Sequence, residues 1–237
     1  MKEQIYNLQS VANSSASDRA GFIRRTYAHL AVAILAFIAI EYYLVNSPFA
    51  ASLASSMTGG MSWLVVIGLF MGVSYIANKL AVSQTSQQMQ YLGLALFVVA
   101  EAIVFLPLLY IATIYGGDGV IASAGMMTLL LVGGITATVF ITKKDFSFMG
   151  SFLSMGGFVA LGFILCSMIF GFSLGLIFAS VMVVFAGGAV LYSTSNVLHQ
   201  HSTDQHVAAA LSLFASVALL FFYILQVLMS LGGGGDD

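Results

Sequence analysis

Seven stretches of about 20 consecutive apolar residues leave this chain one kind of place to fold. They run over 27–45, 61–77, 91–111, 120–141, 148–167, 174–198 and 207–231, each long enough to cross a hydrocarbon core of about 30 Å as a helix. The runs are continuously apolar and do not alternate, which excludes membrane strands, and a helix satisfies its own backbone hydrogen bonds in lipid. Composition agrees: 60% of the residues are hydrophobic, 7% are charged, and the mean hydropathy is +1.02, far from a soluble domain. The expected fold is an all-α integral membrane protein, a seven-transmembrane helical bundle in the lipid bilayer.

The chain divides into a polar N-terminal tail over 1–26, a membrane domain over 27–231 and a flexible glycine-rich end over 232–237. The tail lacks a short apolar core followed by a small-residue cleavage site, so the first span doubles as the insertion signal. The fifth and sixth runs touch, but 148–198 is too long for one crossing, and Gly171 and Ser173 mark the turn. The seven basic residues are Lys2, Arg19, Arg24, Arg25, Lys79, Lys143 and Lys144. All fall on one side of this plan, which by the positive-inside rule is the cytoplasm. The N-terminus is then cytoplasmic and the C-terminus external. The single cysteine, Cys166, cannot form an internal disulfide and reads as a packed thiol. A net charge of -2 gives no footprint for nucleic acid.

Few polar residues lie inside the runs. Glu101 falls midway along the third, where an ionised carboxylate costs about 3 kcal/mol or more and requires a partner, a watery cavity or a proton. It is the leading functional candidate. Pro107 further along removes a helical hydrogen bond and is expected to kink the span. Glu41, beside Tyr42, Tyr43 and Asn46, and His29, beside Arg24 and Arg25, read as interfacial residues. His199, His201 and His206 cluster with Asp204 in the turn between the last two runs. Such a set suits a metal in principle, but it equally suits the polar cap of a helical hairpin, and that reading is preferred. Small residues at Gly68 and Gly72, and at Gly133, Gly134, Gly156, Gly157, Gly187 and Gly188, let helices approach closely and are assigned to packing within the bundle.

Enzyme chemistry finds little support. Every aspartate lies outside the runs, against an aspartyl intramembrane protease. No serine is matched by a histidine at similar depth, and neither an HExxH nor a phosphate loop occurs. No cofactor is implied.

Taken in order, the seven-span plan, the link Thr142-Lys143-Lys144-Asp145-Phe146-Ser147-Phe148, the pattern Leu191-Tyr192 followed by His199, His201 and Ala210-Leu211-Ser212-Leu213, and the Gly-Gly-Asp-Asp ending resemble the Bax inhibitor-1 family, also called the transmembrane Bax inhibitor motif proteins, in its bacterial YccA-like branch. The resemblance covers nearly the whole chain. It implies a central seventh helix, a bacterial inner-membrane location and two candidate activities. One is a proton-sensitive calcium or cation leak, which in the family uses a pair of aspartates; the matching positions here are Ser193 and Ser216, so both carboxylates are absent. The other is interaction with the membrane-bound protease FtsH, with the N-terminal tail as the handle. The two substitutions favour the second. Both serines are expected at similar depth, since Ser193 lies five residues before the end of its run and Ser216 nine after the start of the next.

Overall fold

The structure is a computed structural model that describes residues 11–58, 61–83 and 86–232. Among the described residues it holds eight α-helices and no β-strand: α1 (Ala16–Val45), α2 (Ala50–Thr58), α3 (Met61–Ala81), α4 (Gln87–Tyr115), α5 (Val120–Thr142), α6 (Met149–Phe170), α7 (Gly175–His199) and α8 (His206–Gly232). Seven of them, all but α2, are long and apolar enough to cross a membrane, so the seven-span helical bundle is realised. Successive spans alternate in direction. The starts of α1, α4, α6 and α8 and the ends of α3, α5 and α7 therefore share the end that carries the basic residues.

The last helix is the most buried element: 72% of its most apolar stretch is covered, against 6% for α6. Its sequence explains this. Val207, Ala208, Ala209, Ala210 and Leu211 are all buried, and the alanines allow close approach on every side. It packs against α7, α1, α5, α4 and α3. Aromatic rings bind α1 and α4 to it. Phe37 and Phe97 meet Phe214 edge-on at 5.9 and 6.1 Å, while Phe105 stacks on Phe221 at 6.0 Å and meets Phe222 at 5.2 Å. Such contacts add to the area each ring buries.

The start of the chain's first helix departs from the hydropathy reading. α1 begins at Ala16 rather than Tyr27, because Ser15 caps it, accepting from the Asp18 N–H at 3.1 Å, and Asp18 supplies the acidic first turn. Phe22, Thr26, Leu30, Ala33 and Phe37 then line its buried face at the spacing of a helical stripe. A stripe needs fewer apolar residues than a membrane run, so a hydropathy scan passes over the first turns. Upstream, Val11–Asn13 forms a 3-10 turn with Val11 fully buried. The stretch expected to be an accessible tail is thus packed from Val11 onward. The remainder of that tail, 1–10, and the glycine-rich end beyond Gly232, 233–237, lie outside the described residues; Gly232 itself closes α8.

Helix α2 is a further correction, since 46–60 reads as a plain link. Nine residues cannot cross a membrane, yet Ala50, Ala54 and Met57 are buried and the helix packs on α4 and α3. The α6–α7 turn falls where expected, with Gly171 at φ +73° capping α6, a conformation that favours glycine. Cys166 is exposed on the outer face of α6, not packed.

The glycines behave unevenly. Gly68 and Gly72 are exposed with nothing near their Cα hydrogens, so they are not packing residues. A Cβ on Gly156 would come 2.7 Å from the Phe185 ring, and one on Gly188 would touch Met149. At Gly93 of α4 a Cβ would stand 2.5 Å from Ala77 O and 2.7 Å from Ala81 N of α3, the backbone of a neighbouring helix.

Candidate functional site

The polar side chains of the last two spans meet along the α7–α8 hairpin. On α7, Val190, Ser193, Thr194 and Val197 face inward, and on α8 Ser216 is buried among Leu213, Phe214 and Val217. Antiparallel pairing through a short turn brings the two serines level, with their Oγ atoms 2.8 Å apart. Ser216 also donates to Ser212 O at 2.9 Å. With its one proton committed there, Ser216 accepts from Ser193. The expected positions are therefore not merely level but bonded.

Two residues nearer the basic end, Ser195 Oγ accepts from the Phe146 N–H at 2.8 Å, fastening the α5–α6 link to α7. Asp145 in that link accepts from the Ser147 N–H at 2.8 Å, which holds its carboxyl below the usual carboxylate range. His199 lies one turn from Ser195, 3.5 Å from its Oγ, so a serine and a histidine do share a depth after all. They form no nucleophile–base pair, because His199 Nδ1 donates to the main-chain Ser195 O at 3.0 Å and is not free to accept a proton.

The three turn histidines do not converge. His201 faces Phe22 at 6.4 Å between ring centroids, while His206 faces His29 at 5.0 Å. No group of three or more His, Cys, Asp or Glu suited to a metal exists among the described residues. Burial pushes the His201 imidazole below its ordinary value of 6.5. Its main-chain carbonyl accepts from Val11 N at 2.9 Å, and Arg19 of α1 donates to Val11 O at 3.0 Å and to Ala12 O. The 3-10 turn is thereby clasped between α1 and the hairpin.

The two carboxylates inside the spans lie on α1 and α4. Glu101 is 7% exposed, between Phe97 and Phe105 on the inward face of α4, and its Oε2 has no hydrogen-bond partner. Pro107 sits in a helix that continues to Tyr115. Glu41 corrects the interfacial reading: it is 5% exposed, both of its carboxylate oxygens lack partners, and it lines a cavity of about 260 Å³ with Phe37, Asn46, Thr113 and Phe221. It lies on the same i, i+4 stripe as Phe37, which is the signal that a depth argument overlooked. Gln90 was also missed. It is buried at the start of α4, in a polar stretch that reads as a link.

A helical bundle of seven spans, whose last two are seamed by buried hydroxyls, defines a polytopic membrane protein. The chain belongs to the Bax inhibitor-1 family: the family model described as "Inhibitor of apoptosis-promoting Bax1" matches residues 19–233. It is 32% identical to the uncharacterized protein PA2604 of Pseudomonas aeruginosa over 100% of both chains. It is 29% identical to Protein LIFEGUARD 4 of Arabidopsis thaliana, over 88% of this chain and 84% of that one. A partial match, 32% over 48% of this chain and 52% of the other, is to the Modulator of FtsH protease YccA of Escherichia coli.

Proposed function

We propose that this protein is a non-enzymatic modulator of an FtsH-type membrane protease in a bacterial inner membrane, with its N-terminus in the cytoplasm. The observation that carries the reading is the Ser193–Ser216 hydrogen bond. A pH-gated leak of the family's kind needs two carboxylates whose mutual repulsion parts the helices when both ionise, and two hydroxyls do not titrate in that range. The likeness to a protein named as a modulator of FtsH supports the remaining activity. The orientation rests on the basic residues that share one end of the bundle.

The test is degradation of a membrane substrate by purified FtsH in proteoliposomes, with and without this protein. A changed degradation rate supports the reading; an unchanged rate together with no co-purification of the protease overturns it. The second reading, a cation leak, is favoured by the unpartnered carboxylate oxygens, both of Glu41 and Oε2 of Glu101, which an ion or proton passing along α1 and α4 would meet. Calcium-indicator liposomes separate it from the first.

A further inference from the structure

Toward the end of the bundle away from the basic residues, a cavity of about 630 Å³ opens between α3, α6 and α7, with α8 along its floor. Its size is that of a small-molecule pocket, and so is its lining, mostly apolar with a few polar groups. Trp63 of α3, Ser167 of α6, and Tyr223 and Gln226 of α8 supply the polar groups. Tyr223 is the one that calls for an occupant. It is 5% exposed, and Phe178 and Phe222 hold its ring edge-on at 6.2 and 5.3 Å. Its hydroxyl makes no hydrogen bond among the described residues. Unlike the Tyr27 hydroxyl, it is not sealed among protein atoms, so the surface it keeps is turned into the cavity it lines. The Gln226 amide and the Trp63 indole N–H are likewise unbonded and unsealed.

Depth and charge narrow the occupant. Tyr223 lies nine residues, about 14 Å, inside the end of α8, close to the middle of a hydrocarbon core of about 30 Å. A phospholipid headgroup does not reach that level, and a hydroxyl left without a partner there is costly. No charged side chain lines the cavity among the described residues, so the ligand's polar head is neutral. The phenol O–H, the amide NH₂ and the indole N–H are all donors, and they suit carbonyl oxygens. Tyr223 and Gln226 stand three residues apart on one helix face, with about 5–6 Å between their Cβ atoms. That spacing is comparable to the separation of the two carbonyl oxygens of a 1,4-quinone. The rings of Phe70, Phe178, Phe185 and Phe222 suit a flat conjugated ring.

We propose that this cavity binds an isoprenoid quinone, its carbonyl oxygens accepting from Tyr223 and Gln226 and its prenyl tail lying along Gly157 and Ala160 of α6. A fatty acid would bring a charge that nothing in the lining meets. A fatty alcohol has a single oxygen and would leave one of the two α8 donors unmet.

Trp63 is the only tryptophan of the chain and lines the cavity, so its fluorescence reports occupancy. Full-length protein in detergent is titrated with decylubiquinone, and quenching should saturate at one quinone per chain. Tyr223→Phe removes the hydroxyl alone and should weaken binding about threefold to tenfold, the value of one hydrogen bond. Gly157→Leu should fill the cavity and abolish saturation, since a Cβ there meets nothing closer than the Phe185 ring at 4.0 Å. Thermal midpoints of both variants report an intact fold, and Tyr223→Phe decides alone should Gly157→Leu fail to fold. Decanol and decanoic acid should displace the quinone roughly tenfold less well than unlabelled quinone competes with itself. Quenching that rises linearly without saturation overturns the proposal, as does a folded Tyr223→Phe protein that binds as tightly as the native one. Equal displacement by decanol also overturns it, because an alkyl chain alone would then account for the binding.

Discussion

Ser193 donates to Ser216 across the α7–α8 seam at 2.8 Å, and Ser216 passes its own proton to Ser212 O at 2.9 Å. The pair is thus a fixed chain of neutral donors buried between the two helices. Its strength does not depend on pH, and it holds together two helices that a titrating pair would separate.

Calcium flux through liposomes bearing the native protein is accordingly expected to be nearly flat between about pH 6 and 8, where histidine is the side chain that ordinarily titrates. The double change Ser193→Asp with Ser216→Asp should introduce a steep dependence, because two apposed carboxylates share a proton and repel once both ionise. A native flux that switches sharply, and still does so after His199, His201 and His206 are replaced, would move the switch to Glu41 or Glu101. Ser216→Ala alone should cost about 1–3 kcal/mol, the penalty of leaving the Ser193 hydroxyl buried without its acceptor.

Glu101→Leu should leave the thermal midpoint unchanged or raise it. The carboxylate is buried with Oε2 unpartnered, and replacing a poorly satisfied polar group by an apolar one of similar size removes a desolvation cost of about 1–3 kcal/mol. The same variant should reduce cation flux or protease modulation where Glu101 carries the activity. A midpoint that falls by several degrees would show instead that Glu101 supports the fold.

The span count and the hairpin were legible in the sequence because both depend on signals that composition carries: run length, and the placement of a polar turn between two runs. Glu41 was misjudged because depth along a helix says nothing of which face a residue occupies, and its face is set by Phe37 one turn away. The starts of α1 and α4 were missed for a related reason, since capping by Ser15 and Ser86 begins a helix outside the apolar run. Gln90 and Arg25 became neighbours through the α1–α4 packing, a relation between residues 65 positions apart that no local pattern encodes.

Gly93→Ala should be damaging. The added methyl would meet the backbone of α3, Ala77 O and Ala81 N, at 2.5 and 2.7 Å, and backbone cannot swing aside as a side chain can. Overpacking of this kind costs about 1–3 kcal/mol. Gly68→Ala on the outer face of the same α3, where nothing approaches, should be neutral or gain up to about 1 kcal/mol from helix propensity. Thermal unfolding in detergent compares the two; equal midpoints would mean that α3 and α4 are not tightly apposed.

The clasp on the N-terminal segment separates two truncations. Deleting 1–10 keeps Val11 and the Ser15 cap, so the midpoint should hold. Deleting 1–17 removes a fully buried valine, worth about 1.5–3 kcal/mol, together with a helix cap worth about 1 kcal/mol, and the midpoint should fall. Loss of protease modulation in the shorter deletion therefore reports on the tail as a handle, whereas loss in the longer one alone reports on the fold. The same clasp should respond to acid. His201 is held below its ordinary value of 6.5 by burial, so the unfolded chain binds more protons than the folded one as pH drops below about 6.5. Its contribution is present above that value and is lost as pH falls through the window down to the folded pKa. Because Val11 bonds the His201 carbonyl at 2.9 Å, amide exchange at Val11 should quicken between pH 7 and pH 5.5 after correction for the intrinsic rate. His201→Gln, which cannot titrate, should remove that acceleration. Identical corrected exchange in the two proteins would show that the histidine does not govern the clasp.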